Sequence, residues 1–421
     1  MLVAIQFVKR GSVLPSPGWY YRLSRFFKET FSEKVYKIPL DAGFSCPNRD
    51  GTISTGGCIF CYNPSFSPAA LAGEREGRLP SVQEQIRSFQ LRAEKKAEKF
   101  EARPKAHEEL QKHKGYKAHE MQAAKTAESS CPARYDKVTP WEGSCPVSRS
   151  TESSRKAAQR DPETTGNSCS RRQSGAPAAP ADAKNFQPRR KYLAYFQAYS
   201  NTYAPLPHLQ KLYEEALSAP GIIGLSIATR PDCLGPGVLE LLQSYAQKYH
   251  IWLELGLQSS SDRTLRLINR GHTYHDFEQA VLESSNRGIY ICAHLINGLP
   301  GEGRAEMLET IAKINSLPLH GVKFHQLQVF RGTPLARLYE KGEVPLLSLR
   351  DYLEILCDQL ELLRGDIVVH RLLSEAASEE LLIAPRWDIG RSRFSQLVEG
   401  ELKARGSWQG KMRAAKGESA R

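Results

Sequence analysis

Two hydrophobic periods alternate along residues 191–400. Short segments with apolar residues at every second position, or in a continuous run, predict β-strands. They are separated by segments with amphipathic helical spacing, such as Leu209, Leu212, Tyr213 and Ala216. The strand candidates are 35–41, 191–198, 222–229, 251–257, 289–296, 322–329 and 366–372. This alternation predicts an α/β fold in which parallel strands are joined by right-handed crossovers.

The two faces of the predicted strands distinguish a barrel from a doubly wound sheet. A sheet covered by helices on both sides has strands that are apolar throughout. Here the strand 251–257 has leucines on one face and Trp252, Glu254 and Gly256 on the other. Neighbouring strands carry His294 and Lys323 on one face in the same way. We therefore expect a curved sheet with helices outside and polar side chains inside, which is an incomplete (β/α) barrel.

Composition divides the chain into four zones. Residues 17–66 hold the first strand and a cysteine-rich loop, residues 191–400 the rest of the barrel, and residues 401–421 a basic tail. Residues 79–188 begin as a helix, with Ser81 and Glu84 at capping-box spacing, and lose apolar periodicity from about Arg103. We predict that this insertion is disordered beyond its helix, because it has too few apolar side chains to offset its chain entropy.

The net charge of +12 suggests a nucleic-acid partner, but the charge is unevenly distributed. Residues 71–190 contain 24 basic and 16 acidic residues, a net of +8, so the charge indicates little about the barrel's substrate. No apolar run approaches the roughly 20 residues that cross a bilayer, and we expect no membrane association. The nine cysteines, in a chain that is not a small secreted domain, favour metal binding in the cytoplasm.

The clearest chemical signal is the spacing C-x(11)-C-x(2)-C of Cys46, Cys58 and Cys61, in a loop directly after the first strand. Thiolates bind both zinc and iron–sulfur clusters. A structural zinc site is closed by four ligands, and this loop offers three thiols and no histidine. Asp41 and Asp50 are poor structural zinc ligands here, and a fourth ligand could come from Cys131, Cys145 or Cys169 of the insertion. Three protein ligands leave one iron of a 4Fe–4S cluster open, so we favour the cluster and keep zinc as the alternative.

Several segments together resemble one family. They are DAGFSCPNRDG, GGCIFC, YFQAYSNTYAP, ATRPDCL, LELGLQS, NRGHT, HLINGLPGE and KFHQLQVFRGTPL. They are similar to radical S-adenosylmethionine (SAM) proteins of the YhcC/YtqA type, a group related to the radical SAM core of the Elongator catalytic subunit. The resemblance covers nearly all of 17–66 and 191–400. It implies a partial (β/α)6 barrel, a 4Fe–4S cluster on Cys46, Cys58 and Cys61, and SAM bound at the open iron.

The resemblance also implies which residues contact SAM. Phe60 would pack near the adenine, and the end of the second strand would meet the methionine part of SAM. That segment reads QAYSNT instead of the common Gly-Gly-Glu, so amide and hydroxyl groups would replace the carboxylate. The implied cofactor-binding residues are Phe60, Gln197, Asn201, Thr202, Glu254, Gln258, Gly298 and Gly301. For Glu254 the alternative is a buried carboxylate paired with Arg230 or Lys323.

A second set of residues would face the substrate. The set comprises Arg230, Asp232, Arg270, His272, His294, Lys323 and His325. Each also has a structural interpretation as a hydrogen-bonding or surface residue.

The activity implied by the resemblance is reductive cleavage of SAM to a 5′-deoxyadenosyl radical, with an electron from a low-potential donor such as flavodoxin or ferredoxin. Relatives in the group point to tRNA, specifically the C5 side chain of the wobble uridine. The basic segments Arg22–Lys28 and Lys403–Arg421 would meet RNA phosphates or be ordinary solvated surface. The alternatives are a radical SAM enzyme for a small molecule and a non-catalytic RNA-binding protein with a cluster or zinc.

Overall fold

The computed structural model describes residues 18–62, 79–101, 188, 190–376 and 379–413. Within them, seven parallel strands form one sheet whose spatial order follows the chain order. The strands of this sheet are β1 Val35–Leu40, β2 Lys191–Phe196, β3 Ile222–Thr229, β4 His250–Gln258, β5 Tyr290–Asn297, β6 Gly321–Gln326 and β8 Val368–Arg371. The short β7 Val329–Phe330 and β9 Leu382–Ala384 form a separate antiparallel pair. Because the strand order never reverses, the sheet curls in one direction into an open barrel and not into a doubly wound sheet.

Helices connect successive strands. They are α1 Leu23–Phe31, α2 Val82–Glu101, α3 Leu206–Leu217, α4 Pro236–Ala246, α5 Asp262–Leu267, α6 Tyr274–Ser284, α7 Arg304–Ile314, α8 Pro334–Glu340, α9 Leu349–Leu362 and α10 Arg391–Ala404. The predicted capping box of α2 is present, since the Glu84 amide donates to Ser81 Oγ (3.2 Å) and the Ser81 amide donates to Glu84 Oε2 (2.7 Å). Among the described helices, none combines the length and apolar character that a bilayer-crossing segment needs.

The predicted strands and the incomplete barrel are confirmed, with one strand more than a (β/α)6 barrel. Strand 222–229 matches β3 at both ends, and the others differ by a few residues. The largest difference is at 322–329, where β6 ends at Gln326 and Val329 pairs instead with Ala384 of β9. This pairing spans more than fifty residues, which local periodicity does not reveal. Of the zone 79–188, only residues 79–101 and Pro188 are described; the predicted disorder from Arg103 lies outside the described residues.

The main core lies between the outer face of the sheet and the helices. Leu253 and Leu255 of β4, with Ile227 of β3 and Phe324 of β6, are fully buried there. Full burial of such a side chain contributes about 1.5–3 kcal/mol. The opposite strand positions face the interior of the barrel, as the alternation predicts.

The gap between the edge strands β1 and β8 is covered by the N-terminal segment. Arg22 forms a parallel bridge to Val369, and the Val369 amide donates to the Tyr21 carbonyl at 2.7 Å. Helix α1 follows and contacts both edge strands. Its Phe26 packs with Trp252 of β4 and closes the end of the barrel where the strands begin. The opposite end, where the strands finish, therefore carries the accessible interior.

Candidate active site at the carboxyl ends of the strands

The cysteine loop leaves β1 at Leu40 and is tied to the segment that follows α5. The Ile59 amide donates to the Ile268 carbonyl (3.1 Å), and the Asn269 side chain donates to the Gly57 carbonyl (2.7 Å). Within the loop, the Cys61 amide donates to the Cys58 carbonyl at 2.9 Å, which forms a tight turn between these two ligand candidates. The loop is thus positioned by a partner more than two hundred residues away in the chain.

Cys46, Cys58 and Cys61 line one cavity of about 550 Å³ at this end of the barrel. Burial raises the pKa of Cys61 to about 12, and the neighbouring Cys58 and Cys46 thiols contribute in the same direction. Binding of a metal would have to displace the Cys61 proton.

The donor set fits a cluster with one open iron. Three thiols face the cavity, whereas Cys233, Cys292 and Cys357 are buried elsewhere and do not line it. No group of three His, Cys, Asp or Glu side chains in the described part of the chain is arranged to hold a single metal ion. The thiols of the insertion, which would complete a zinc site, lie outside the described residues.

The barrel interior contains a hydrogen-bonded network around one carboxylate. Glu254, which is fully buried, accepts hydrogen bonds from Lys37 Nζ (2.5 Å), Lys323 Nζ (2.9 Å) and Ser226 Oγ (2.5 Å). His294 Nε2 lies 2.6 Å from Glu254 Oε2, the oxygen that Lys323 also contacts. Lys323 also donates to the Tyr195 hydroxyl at 2.6 Å. Of the two pairings expected for Glu254, the one with Lys323 is present, and Lys37 takes the place of Arg230.

These contacts set the charges in the interior. Burial alone would raise the pKa of Glu254, but the ammonium groups of Lys323 and Lys37 hold it well below its usual range. Burial lowers the pKa of Lys323 to about 8 against the attraction of Glu254. Burial likewise lowers the pKa of His294 to about 4, so its neutral ring donates from Nε2 to the carboxylate. At neutral pH the ionised Glu254 therefore lies between the ammonium groups of Lys323 and Lys37 and the neutral ring of His294.

Of the residues expected at the cofactor, Phe60, Gln197 and Gln258 line the cysteine cavity. Gln258 has a φ of 77° and lies at a register shift between β4 and β5. This irregularity of the strand changes the direction of the Gln258 side chain, which lines the cavity. Asn201 and Thr202 lie just behind the cavity, where Asn201 Nδ2 donates to the Ala228 carbonyl (2.7 Å) and Thr202 Oγ1 donates to the Cys233 carbonyl (2.7 Å).

Gly298 and Gly301 lie outside the cavity lining. Both have positive φ, 85° and 78°, a conformation that favours glycine. A Cβ on Gly298 would meet the Leu347 side chain at 3.2 Å, and one on Gly301 would meet the Leu267 side chain at 3.0 Å. The structure therefore gives both glycines a role in turning the chain after β5.

Most of the residues expected at the substrate also line the cavity. They are Arg230, Arg270, His294, Lys323 and His325. Arg230 forms a salt bridge with Asp232 through two hydrogen bonds (2.9 and 2.7 Å). His272 lies behind Arg270, whose Nε is 2.9 Å from His272 Nε2. The basic segment of α1 is partly neutralised, because Arg22 pairs with Glu399 and Arg25 with Glu29.

Four interior residues were missing from the sequence-based set: Lys37, Tyr195, His370 and Arg371. A second cavity of about 650 Å³, beside α1, is lined by all four and shares Tyr195, Lys323 and Arg371 with the cysteine cavity. Lys37 and Tyr195 alternate with apolar residues in strands β1 and β2. Both residues could have been identified from the sequence, because a charged or hydroxyl-bearing residue on the inner face of a predicted barrel strand indicates a candidate site residue.

Comparison with known families gives two adjacent matches. Residues 180–314 match the family described as the radical SAM superfamily, and residues 319–404 match the one described as the radical SAM C-terminal domain. Together they span the strands from β2 to β8 and helix α10.

Two relatives match over most of their length. YtqA from Bacillus subtilis (strain 168) is 31% identical over 392 residues, which cover 93% of this chain and 92% of YtqA. YhcC from Escherichia coli (strain K12) is 30% identical over 370 residues, which cover 88% of this chain and 87% of YhcC.

A tRNA uridine(34) acetyltransferase from Methanocaldococcus infernus matches over a smaller part. It is 30% identical over 142 residues, which cover 33% of this chain and 26% of that protein.

Proposed function

Because this chain belongs to the radical SAM superfamily, and within it to the group of YtqA and YhcC, we propose that it cleaves SAM reductively at a cluster held by Cys46, Cys58 and Cys61. Radical SAM enzymes use a 4Fe–4S cluster and SAM. The observation that supports the assignment of ligands is the convergence of these three thiols, among the six that the structure describes, on one cavity at the end of the barrel. The electron would come from a low-potential donor such as flavodoxin or ferredoxin.

When bound, the cluster and SAM together supply one-electron chemistry that yields methionine and a 5′-deoxyadenosyl radical able to abstract a hydrogen atom from substrate. The chain's own part is binding and orientation. Gln197 and Gln258 present amide groups to the cavity beside the thiols, and Phe60 presents an aromatic ring. We propose that these three residues contact SAM, while Asn201, Thr202, Gly298 and Gly301 hold the backbone around it.

The interior network is proposed to receive the substrate. Glu254 holds Lys323 and His294 in fixed positions, and Lys323, His294 and His325 line the cavity that also contains the thiols. Such pre-organised polar groups orient a bound molecule and exclude water from a reactive centre. Arg230 and Arg270, with Asp232 and His272 behind them, complete the wall on the side of β3 and β4.

For the substrate we propose tRNA, with reaction at the C5 side chain of the wobble uridine. The support is the partial similarity to a protein named as a tRNA uridine(34) acetyltransferase. A small-molecule substrate is the second candidate, favoured by an interior cavity of about 650 Å³ with polar groups in its lining. A non-catalytic RNA-binding protein would also carry the thiols, and SAM cleavage separates it from both enzymes.

The test of the cluster and of catalysis is anaerobic reconstitution with iron and sulfide, followed by measurement of 5′-deoxyadenosine under dithionite. We expect about four iron ions per wild-type chain and formation of 5′-deoxyadenosine. Cys46→Ala, Cys58→Ala and Cys61→Ala should each lose both, whereas Cys357→Ala, which removes a buried thiol of α9 away from the cavity, should keep both. Tightly bound zinc without iron uptake would contradict the proposal, as would a loaded protein that never cleaves SAM.

The test of the substrate is a comparison of modified nucleosides in tRNA from cells with and without the gene, by liquid chromatography and mass spectrometry. We expect one wobble-uridine derivative to disappear and its precursor to accumulate. Identical nucleoside profiles would rule out tRNA and leave the small-molecule enzyme, provided that SAM cleavage has been observed.

A further inference from the structure

Cys58 differs from the other two proposed ligands in its surroundings. It is buried, with 5% of its surface exposed, whereas Cys46 and Cys61 are half-buried. Two side-chain N–H groups point at its sulfur. Arg270 Nη1 lies 3.5 Å from Cys58 Sγ and Asn48 Nδ2 lies 3.7 Å from it, both within the range of hydrogen bonds to sulfur.

The Arg270 side chain is fixed by its other donors. Its Nη2 donates to the Gly256 carbonyl at 2.7 Å, and its Nε donates to His272 Nε2 at 2.9 Å. An arginine only donates, so His272 accepts at Nε2 and carries its proton on Nδ1, 3.1 Å from the Thr273 carbonyl. Burial lowers the pKa of His272 to about 3, in keeping with this neutral form.

The absence of a side chain at Gly256 leaves the space that the Arg270 guanidinium occupies. A Cβ on Gly256 would lie 2.6 Å from Arg270 Nη2, so a larger residue there would displace the guanidinium. Asn48 is held in turn by its bond to the Asn269 carbonyl at 2.6 Å. The segment Asn269–His272 thus connects the end of β4 to one thiol of the cysteine loop.

Hydrogen bonds to a cluster's sulfur ligands change its reduction potential. An N–H group directed at a thiolate stabilises negative charge on the sulfur, and reduction adds negative charge to the cluster. A charged donor has a larger effect than a neutral one, especially in a buried site of low dielectric constant. Donors at Cys58 therefore favour the reduced state and raise the potential.

We propose that Arg270, with Asn48 as a weaker second donor, is a positioning residue that raises the reduction potential of the cluster through Cys58. This inference rests on the proposed function, since it takes Cys58 as a cluster ligand. It gives Arg270 a role on the cluster side of the cavity in addition to the substrate-facing one expected from the sequence.

The experiment is a redox titration of the reconstituted protein, followed by electron paramagnetic resonance, with iron counted in every sample. Arg270→Gln should bind as much iron as wild type and be reduced only at more negative potentials. Arg270→Lys, which keeps the positive charge without the planar guanidinium group, should recover part of the shift in reduction potential. The matched control is Arg364→Gln, which removes a half-buried guanidinium that donates to the Asn315, Leu317 and Leu319 carbonyls. Among the cysteines that the structure describes, none accepts a hydrogen bond from Arg364. Its potential should equal that of wild type.

Equal potentials in loaded wild-type and Arg270→Gln proteins would overturn this inference alone. So would loss of iron from Arg270→Gln while Arg364→Gln stays loaded, since the arginine would then serve to build the loop. Failure of the wild-type chain to bind iron would instead overturn the proposed function itself.

Discussion

Glu254 shows how a single buried carboxylate organises the barrel interior. Its two oxygen atoms bind side chains from β1, β3, β5 and β6, so one residue connects most of the sheet from within. An ionised carboxylate in such a place is costly unless it is paired and hydrogen-bonded. The two ammonium groups meet that condition, which explains why its pKa is lowered despite full burial.

His250 is the opposite case, a buried polar side chain without a hydrogen-bond partner for either ring nitrogen among the described residues. It lies at the start of β4 among the rings of Phe31 (5.2 Å between centroids) and Tyr290 (4.6 Å). Burial, reinforced by the positive charge of Lys37, lowers its pKa to about 3. The ring thus behaves as a neutral aromatic residue in the folded protein.

We predict that His250→Phe flattens the pH dependence of stability. Between pH 6.5 and about 3 the unfolded chain binds a proton at His250 and the folded chain does not, so the stability of the wild-type protein falls as the pH falls through this window. In the variant, the slope of the free energy of unfolding against pH should be smaller by up to about 1.4 kcal/mol per pH unit. Urea unfolding of the metal-free protein at pH 5 to 8 measures it.

The control for this prediction is His275→Gln on α6, whose side chain is 71% exposed. This variant should keep the wild-type slope. A His250→Phe slope equal to that of wild type would mean that His250 is protonated, or hydrated, in the folded state.

Helix α1 has only nine residues, but it packs against aromatic rings in the middle of the sheet. Its Phe26 contacts the rings of His250, Trp252 and Tyr290 at centroid distances of 5.5 to 5.7 Å. These rings come from β4 and β5, in the middle of the sheet, while the helix itself spans the gap between the edge strands β1 and β8. Apolar burial between α1 and the strand beginnings therefore closes one end of the barrel.

We predict that Phe26→Ala lowers the free energy of unfolding by about 3–5 kcal/mol, because it leaves a cavity among aromatic rings that cannot collapse. Chemical denaturation measures the change. Leu282→Ala, at a position of α6 that is 47% exposed, is the control and should change stability by about 0.5 kcal/mol or less. Similar values for the two variants would show that α1 does not form part of the core.

The sequence predicted the boundaries of a strand where the alternation of apolar and polar residues within that strand was sufficient. The alternation in β3 and β4 is complete within each strand, so their faces and approximate ends were predicted from the sequence. The pair β7–β9 was not, since each strand has three residues or fewer and exists only because the other is present. Helix α1 was likewise not predicted, since the sequence analysis identified only the basic segment Arg22–Lys28 there.

At the scale of the whole molecule, all seven strands of the barrel sheet lie in the described parts of residues 18–96 and 188–413, which belong to one compact unit. The connection from α2 to β2 contains the long insertion that lacks apolar periodicity. Each strand of the barrel sheet pairs with strands of the same unit, and every described residue that lines the cysteine cavity belongs to this unit.

We predict that replacing residues 103–187 with a short Gly/Ser linker leaves cluster loading and SAM cleavage within about twofold of wild type, because flexible connections add little to loop-closure entropy. Iron content and 5′-deoxyadenosine formation measure it. Replacing residues 47–57 with a linker of equal length, which keeps the cysteine spacing, is the control and should abolish loading. Loss of iron from the first variant would place a ligand or a folding element in the insertion.

The sequence by itself determined the strand–helix alternation, the polar inner face of the barrel and the three thiols of one loop. These features depend on the spacing of residues that are close in the chain, and spacing is what a sequence states directly. The tertiary structure decided which distant groups meet: Lys37 with Glu254 across 217 positions, and Arg270 with Cys58 across 212. Such contacts depend on how far the sheet curls and where each loop crosses its end, and both result from packing summed over the whole barrel.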